Sequence, residues 1–221
     1  MDDLKKGSKC HKFIESLEII YSLFLAVGLS NLLLNPNFSL FYCTSIIICG
    51  FTLIRFFFAP SKNIEFLVNK IRESELEEEK KDNGYRLTLL IDTPILFIHA
   101  ILFTMMCKFA QQDMGYVGFF YTCFSLLLVV NFGWLKSICY RVNKLGSSCG
   151  NNINFWAKNN ISFAIPIGII GFLIFLTDKI FIKNDWFIPI EYLCLSVLFI
   201  LGLLNCIRDL KNTCKIYLFH D

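Results

Sequence analysis

Apolar residues fall in six long blocks, at 13–34, 38–60, 87–109, 115–136, 160–182 and 187–208. Each is near the ~20 residues that an α-helix needs to cross a bilayer. Between the second and third blocks the pattern changes. Ile64, Leu67, Val68 and Ile71 recur at helical spacing, followed by Glu73, Glu75, Glu77, Glu78 and Glu79. That predicts a short amphipathic helix within 61–86, ended by Asn83-Gly84. The turn residues Asn35-Pro36-Asn37 join blocks one and two, and the polar run GSSCGNNIN at 146–154 reads as a flexible loop. The expected fold is all-α: six transmembrane helices as three hairpins, in one transmembrane domain over 1–221, with a basic arm at 1–12. Spans two, four and six share loosely similar starts, at Phe41-Tyr42-Cys43, Phe120-Tyr121 and Glu191-Tyr192, in keeping with repeated hairpins.

Composition supports the membrane class. The chain is 55% hydrophobic with 24 phenylalanines and a mean hydropathy of +0.56, above the apolar share of soluble domains. The net charge of +3 says little, but its distribution says more. Of the 21 lysines and arginines, 17 fall on the arm, the connections after blocks two and four, and the C-terminal end. The positive-inside rule then places both termini in the cytoplasm, which for a prokaryotic chain means the inner membrane. Glu15 and Glu18 in the first block, and the lack of an A-x-A-like end, argue against a cleaved signal peptide.

Polar residues inside the blocks are the candidate functional positions, because ionisable groups cost roughly 2.5–3.5 kcal/mol at the centre of a span. The third block holds Asp92, Pro94 and His99. Asp92 and His99 are seven residues apart, so they share one helix face, and Pro94 predicts a kink near Leu90. Counting from the block ends puts Glu18, Arg55, Asp92, Asn131 and Asn205 at a similar depth in the cytoplasmic third. Arg55 and Asp92 are the expected ion pair of this layer, with the asparagines bonding between helices. His99 lies deeper, either as a neutral imidazole bonded to a carbonyl or hydroxyl, or as a proton relay with Asp92. A second group, Lys136, Arg141, Lys144, Arg208 and Lys211, with Lys215, is a candidate cytoplasmic site for an anionic ligand such as a nucleotide or short oligonucleotide.

Enzymatic chemistry finds no support. The three histidines are His11, His99 and His220, which leaves no bis-histidine haem and no His-rich metal site. No H-E-x-x-H, G-x-S-x-G or phosphate-binding glycine loop occurs, so no catalytic residue, cofactor or metal is expected. The ten cysteines form no C-x-x-C pair. They are expected as free thiols, with Cys139 and Cys149 on the reducing side.

FTLIRFFF at 51–58, LLIDTPILFIHA at 89–100 and CIRDLKNTCKIYLF at 206–219 resemble stretches of small six-helix prokaryotic membrane proteins of unassigned function. In size and build the chain is also similar to channel-like effectors of antiviral defence systems. That resemblance supplies no site residues. Together these readings lead to an oligomeric ion-conducting channel or pore in the lipid bilayer, with an anionic cytoplasmic ligand as its candidate gate and no role for duplex nucleic acid. A small proton-coupled transporter, pointed to by Pro94 and Pro166 in the two halves, and a non-catalytic scaffold are the alternatives.

Overall fold

A computed structural model of the chain describes residues 19, 21–34, 36, 38–149, 151–180 and 187–217. The basic arm, Glu18 and Trp186 lie outside these residues, as does the side chain of Lys215. The described residues are helical with no strand: α1 (Tyr21–Leu34), α2 (Leu40–Glu73), α3 (Glu78–Ala110), a 3₁₀ turn (Met114–Tyr116), α4 (Val117–Lys144), α5 (Asn151–Ile180) and α6 (Phe187–Tyr217). The all-α expectation holds. The helices containing 79–110, 114–144, 153–177 and 189–211 are each long and apolar enough to cross a membrane, whereas Tyr21–Leu34 and Leu40–Phe56 are shorter apolar segments.

Local chemistry accounts for the helix ends. The Ser39 hydroxyl caps α2 by accepting from the Tyr42 amide at 3.1 Å, and the Asp113 carboxylate accepts from Gly115 at 3.1 Å in the turn before α4. Tyr42 donates its phenol to the Leu32 carbonyl at 2.9 Å, which ties the end of α1 to the start of α2.

Two boundaries differ from the sequence pattern. α2 does not end near Pro60 but continues to Glu73, and Asn83-Gly84 lies inside α3 instead of closing a helix. The predicted amphipathic helix is therefore divided between the two, with the break at 74–77. The reason is packing. A proline inside a helix costs about 3 kcal/mol and a glycine about 1. Ile64, Leu67 and Ile71 are each at most 2% exposed, and a buried Leu or Ile contributes about 1.5–3 kcal/mol. Gly84 faces Ile71, whose side chain would lie in ordinary contact, 3.4 Å, with a Cβ there.

α4 is the central helix and packs against α2, α3 and α5. Its exposed positions Leu126, Val129, Gly133, Lys136, Tyr140 and Asn143 form one narrow stripe at alternating spacings of three and four, joined at the helix end by Lys144, while the other faces are largely buried. Along α5 the two backbones nearly touch. A Cβ on Gly118 would lie 2.6 Å from the Phe175 amide nitrogen, and Ser125 donates to the Ala164 carbonyl at 2.7 Å beside Gly168. Small residues at such a seam let two helix backbones approach closely.

The segment between α4 and α5 is shorter and more constrained than the expected flexible loop at 146–154. α5 begins at Asn151. Gly146 takes the left-handed conformation, with φ of 74°. Cys139 and Cys149 then meet in a disulfide with a Cα–Cα separation of 5.0 Å. This corrects the expectation of free thiols at these two positions. Cys43, Cys49, Cys107, Cys123, Cys194 and Cys206 are free, most of them buried as small hydrophobes.

Candidate functional site: a buried polar column

The two arginine–aspartate contacts set the site, and neither is the pair expected from depth. Arg141 of α4 holds Asp92 of α3 with both guanidinium nitrogens, Nη2 to Oδ1 at 2.6 Å and Nη1 to Oδ2 at 3.1 Å. Its Nε donates to the Ser137 carbonyl at 3.4 Å, and the Trp134 indole donates to Asp92 Oδ1 at 2.7 Å. Thr88 stands 3.5 Å from Nη1. Arg55 of α2 instead pairs with Asp209 of α6. Its Nη2 donates to Asn160 Oδ1 at 2.6 Å, and Asn159 donates to Asp209 Oδ1 at 2.7 Å. The Phe56 and Trp156 rings lie 5.0 and 5.4 Å from the Arg55 guanidinium.

The expected Arg55–Asp92 pair is thus replaced by two pairs. A count of residues from each span end put Glu18, Arg55, Asp92, Asn131 and Asn205 at one depth, whereas Asp92 meets α4 between Trp134 and Arg141, beyond the level of Asn131. The count carried no information on which helix faces which. Asp209 was overlooked because it follows Arg208 at a helix end and reads as a solvated terminus. The usable signal was its place on the face of Leu198, Gly202 and Asn205, at spacings of three and four.

Helix register orders the remaining polar groups. Arg55 and Ile48 are seven apart and meet Asp209 and Gly202, also seven apart and in the same order, so α2 and α6 run parallel. Asn205 lies between these two contacts. Phe41 packs edge-on against Phe120 at 5.7 Å, and Thr52 lies eleven residues beyond Phe41 as Asn131 does beyond Phe120. α3 and α4 run antiparallel, with Asp92 between Trp134 and Arg141. One heptad onward in α3 is His99, and one heptad back along α4 from that contact is Asn131. Thr52, Asn131 and Asn205 therefore share one level, His99 lies about one turn further along beside Phe56 and Trp134 at the Arg55–Asp209 level, and Asp92–Arg141 lies beyond.

His99 is fully buried, its ring 4.9 Å from that of Phe56 and 5.9 Å from that of Trp134. It makes neither the carbonyl nor the hydroxyl bond expected of it. Among the described residues neither ring nitrogen has a hydrogen-bond partner, and the same holds for Asn131 Nδ2, both amide atoms of Asn205, and Arg55 Nε. From Asn131 to Arg141 the column spans about 15 Å of α4, half the thickness of a ~30 Å hydrocarbon core. Beyond Asn131 the interior is filled by Phe41, Phe103, Phe120, Phe124, Leu127 and Leu198, with the unpartnered hydroxyls of Ser45 and Tyr121 among them.

The basic group divides. Arg141 is buried and committed to Asp92. Lys136, Lys144, Arg208 and Lys211 are exposed. Lys136 bonds Asn154 at 3.1 Å, Lys144 lies over the Tyr140 ring at 4.7 Å, and Arg208 lies over the Phe163 ring at 5.8 Å. Glu18, the remaining member of the expected layer, falls outside the described residues. Among the described residues no group of three His, Cys, Asp or Glu side chains is placed to hold a metal. The chain matches no protein-family model, no curated protein and no solved structure.

Proposed function

We propose that the chain is a six-span membrane protein with its basic end in the cytoplasm, and that it conducts ions through the interior of its own bundle. The observation that carries this reading is the set of buried, unpartnered side chains of Asn131, Asn205 and His99. Polar side chains in a dry interior are almost always bonded to protein or water. Unpartnered donors and acceptors on three helices, beside two ion pairs, favour a hydrated path. The aromatic and aliphatic fill beyond Asn131 then acts as a plug, and the arrangement corresponds to a closed state.

The oligomer expected from the sequence is not needed for the path. The intramembrane charges Arg55, Asp92, Arg141 and Asp209 are turned inward and paired within one chain. Copies can still assemble through their apolar outer faces. An anionic cytoplasmic ligand would meet Lys136, Lys144, Arg208 and Lys211, and the resemblance to defence effectors agrees with ligand gating. A transporter built on broken helices has less support, because α3 and α5 run continuously through Pro94 and Pro166.

The test is ion flux in liposomes holding the purified protein. A low flux in the parent, raised by Phe124→Ala and lost in Asn131→Leu with Asn205→Leu, is expected. Absence of any flux from a folded parent and a folded Phe124→Ala protein would overturn the reading.

A further inference from the structure

We infer that the conducted species is the proton, with His99 as the relay between the two ion pairs; this rests on the interior-path reading above. Charge is the first argument. The column holds two described carboxylates, Asp92 and Asp209, and each already has an arginine. The layer is therefore neutral, and a metal cation entering it would lose hydration with no net negative charge to compensate. Space is the second. His99 fills the gap between the Phe56 and Trp134 rings at 4.9 and 5.9 Å, which leaves no width for a hydrated ion. A proton needs only a lone pair and single bridging waters.

The third argument is the imidazole itself. Both of its nitrogens are open, so it accepts a proton at one and releases the proton carried by the other. The ring is neutral before and after, and a ring flip or tautomer exchange resets it. The charged groups of the column are the Arg55–Asp209 pair of α2 and α6, beside the Phe56 ring that packs on His99, and the Asp92–Arg141 pair of α3 and α4, one heptad back along α3. Asn131 and Asn205, about one turn from the ring on α4 and α6, supply unpartnered amide groups that hold bridging water. Outward, the Tyr121 and Ser45 hydroxyls are buried and unpartnered. Isolated hydroxyls pass protons but coordinate cations poorly.

The experiment uses liposomes loaded with a pH-sensitive dye, with a potential imposed by a potassium gradient and a potassium ionophore. The parent or its Phe124→Ala form should move protons. His99→Gln, which keeps size and hydrogen bonding but not basicity, should lose on the order of tenfold or more of that flux. Folding of the variant is checked by its elution and thermal midpoint. Transport in deuterium oxide gives a readout independent of the variant. Transfer between fixed groups slows by more than solvent viscosity explains, and an effect no larger than viscosity overturns the inference. Unchanged proton flux in folded His99→Gln also overturns it. Sodium, potassium or chloride flux exceeding proton flux would overturn the inference and leave the interior path standing. No flux of any ion would remove both.

Discussion

Arg141 and Asp92 form a two-pronged ion pair between α4 and α3, at 2.6 and 3.1 Å, and the Trp134 indole completes the shell of the carboxylate. Removing one member strands the other charge out of water. Asp92→Leu or Arg141→Leu should each destabilise by about 3–5 kcal/mol, and the double variant by distinctly less. Thermal or denaturant unfolding in detergent checks this. Equal loss in single and double variants would mean that the pair does not form.

Partner identity is testable in the same way. Arg55→Leu should be partly rescued by Asp209→Leu and not by Asp92→Leu, because Arg55 and Asp92 belong to different pairs. Variants without a shared partner add within about 0.3–0.5 kcal/mol. Rescue of Arg55→Leu by Asp92→Leu would restore the pairing that depth alone suggested.

Trp134→Phe retains most of the ring but removes the donor to Asp92. A hydrogen bond to a charged group contributes about 1.5–3 kcal/mol, so a loss of that order is expected. A loss below about 0.5 kcal/mol would place the indole nitrogen elsewhere.

At the α4–α5 seam, a methyl group on Gly118 would meet the Phe175 amide nitrogen at 2.6 Å and the Gly171 carbonyl oxygen at 2.8 Å. Both are backbone atoms, so relief requires the helices to part. Gly118→Ala should cost about 1–3 kcal/mol. Gly133→Ala, with nothing within 4 Å of its Cβ, is the control and should be neutral or slightly stabilising. A tolerated Gly118→Ala beside a damaging Gly133→Ala would contradict the seam.

The surface cations and Arg141 should separate experimentally. Replacing Lys144 and Lys211 with Gln should weaken binding of a nucleotide or anionic lipid and flatten its salt dependence. Arg141→Gln should lower stability with little change in that salt dependence, since its charge is already spent on Asp92. The reverse pattern, read by titrations at two salt concentrations, would return Arg141 to the ligand surface.

The all-α fold, most of the helices and their length and apolarity were legible because they depend on local composition. A long apolar run makes a helix in lipid whichever neighbours it finds. The polar residues worth watching were legible too, since a buried Asp or Arg stands out in an apolar block. Their partners were not. Arg208 and Asp209 are adjacent in sequence, yet a step of one residue turns the helix by about 100°, which leaves Arg208 exposed and Asp209 fully buried. Which of Asp92 and Asp209 meets Arg55 depends on how three helices are rotated and slid against one another. Side-chain packing across the bundle sets that relationship, through contacts such as Gly118 on Phe175 and Gly202 on Ile48. The continuation of α2 past Pro60 has the same origin: Ile64, Leu67 and Ile71 gain more from burial than the proline costs, and only the tertiary structure supplies the surface they bury against.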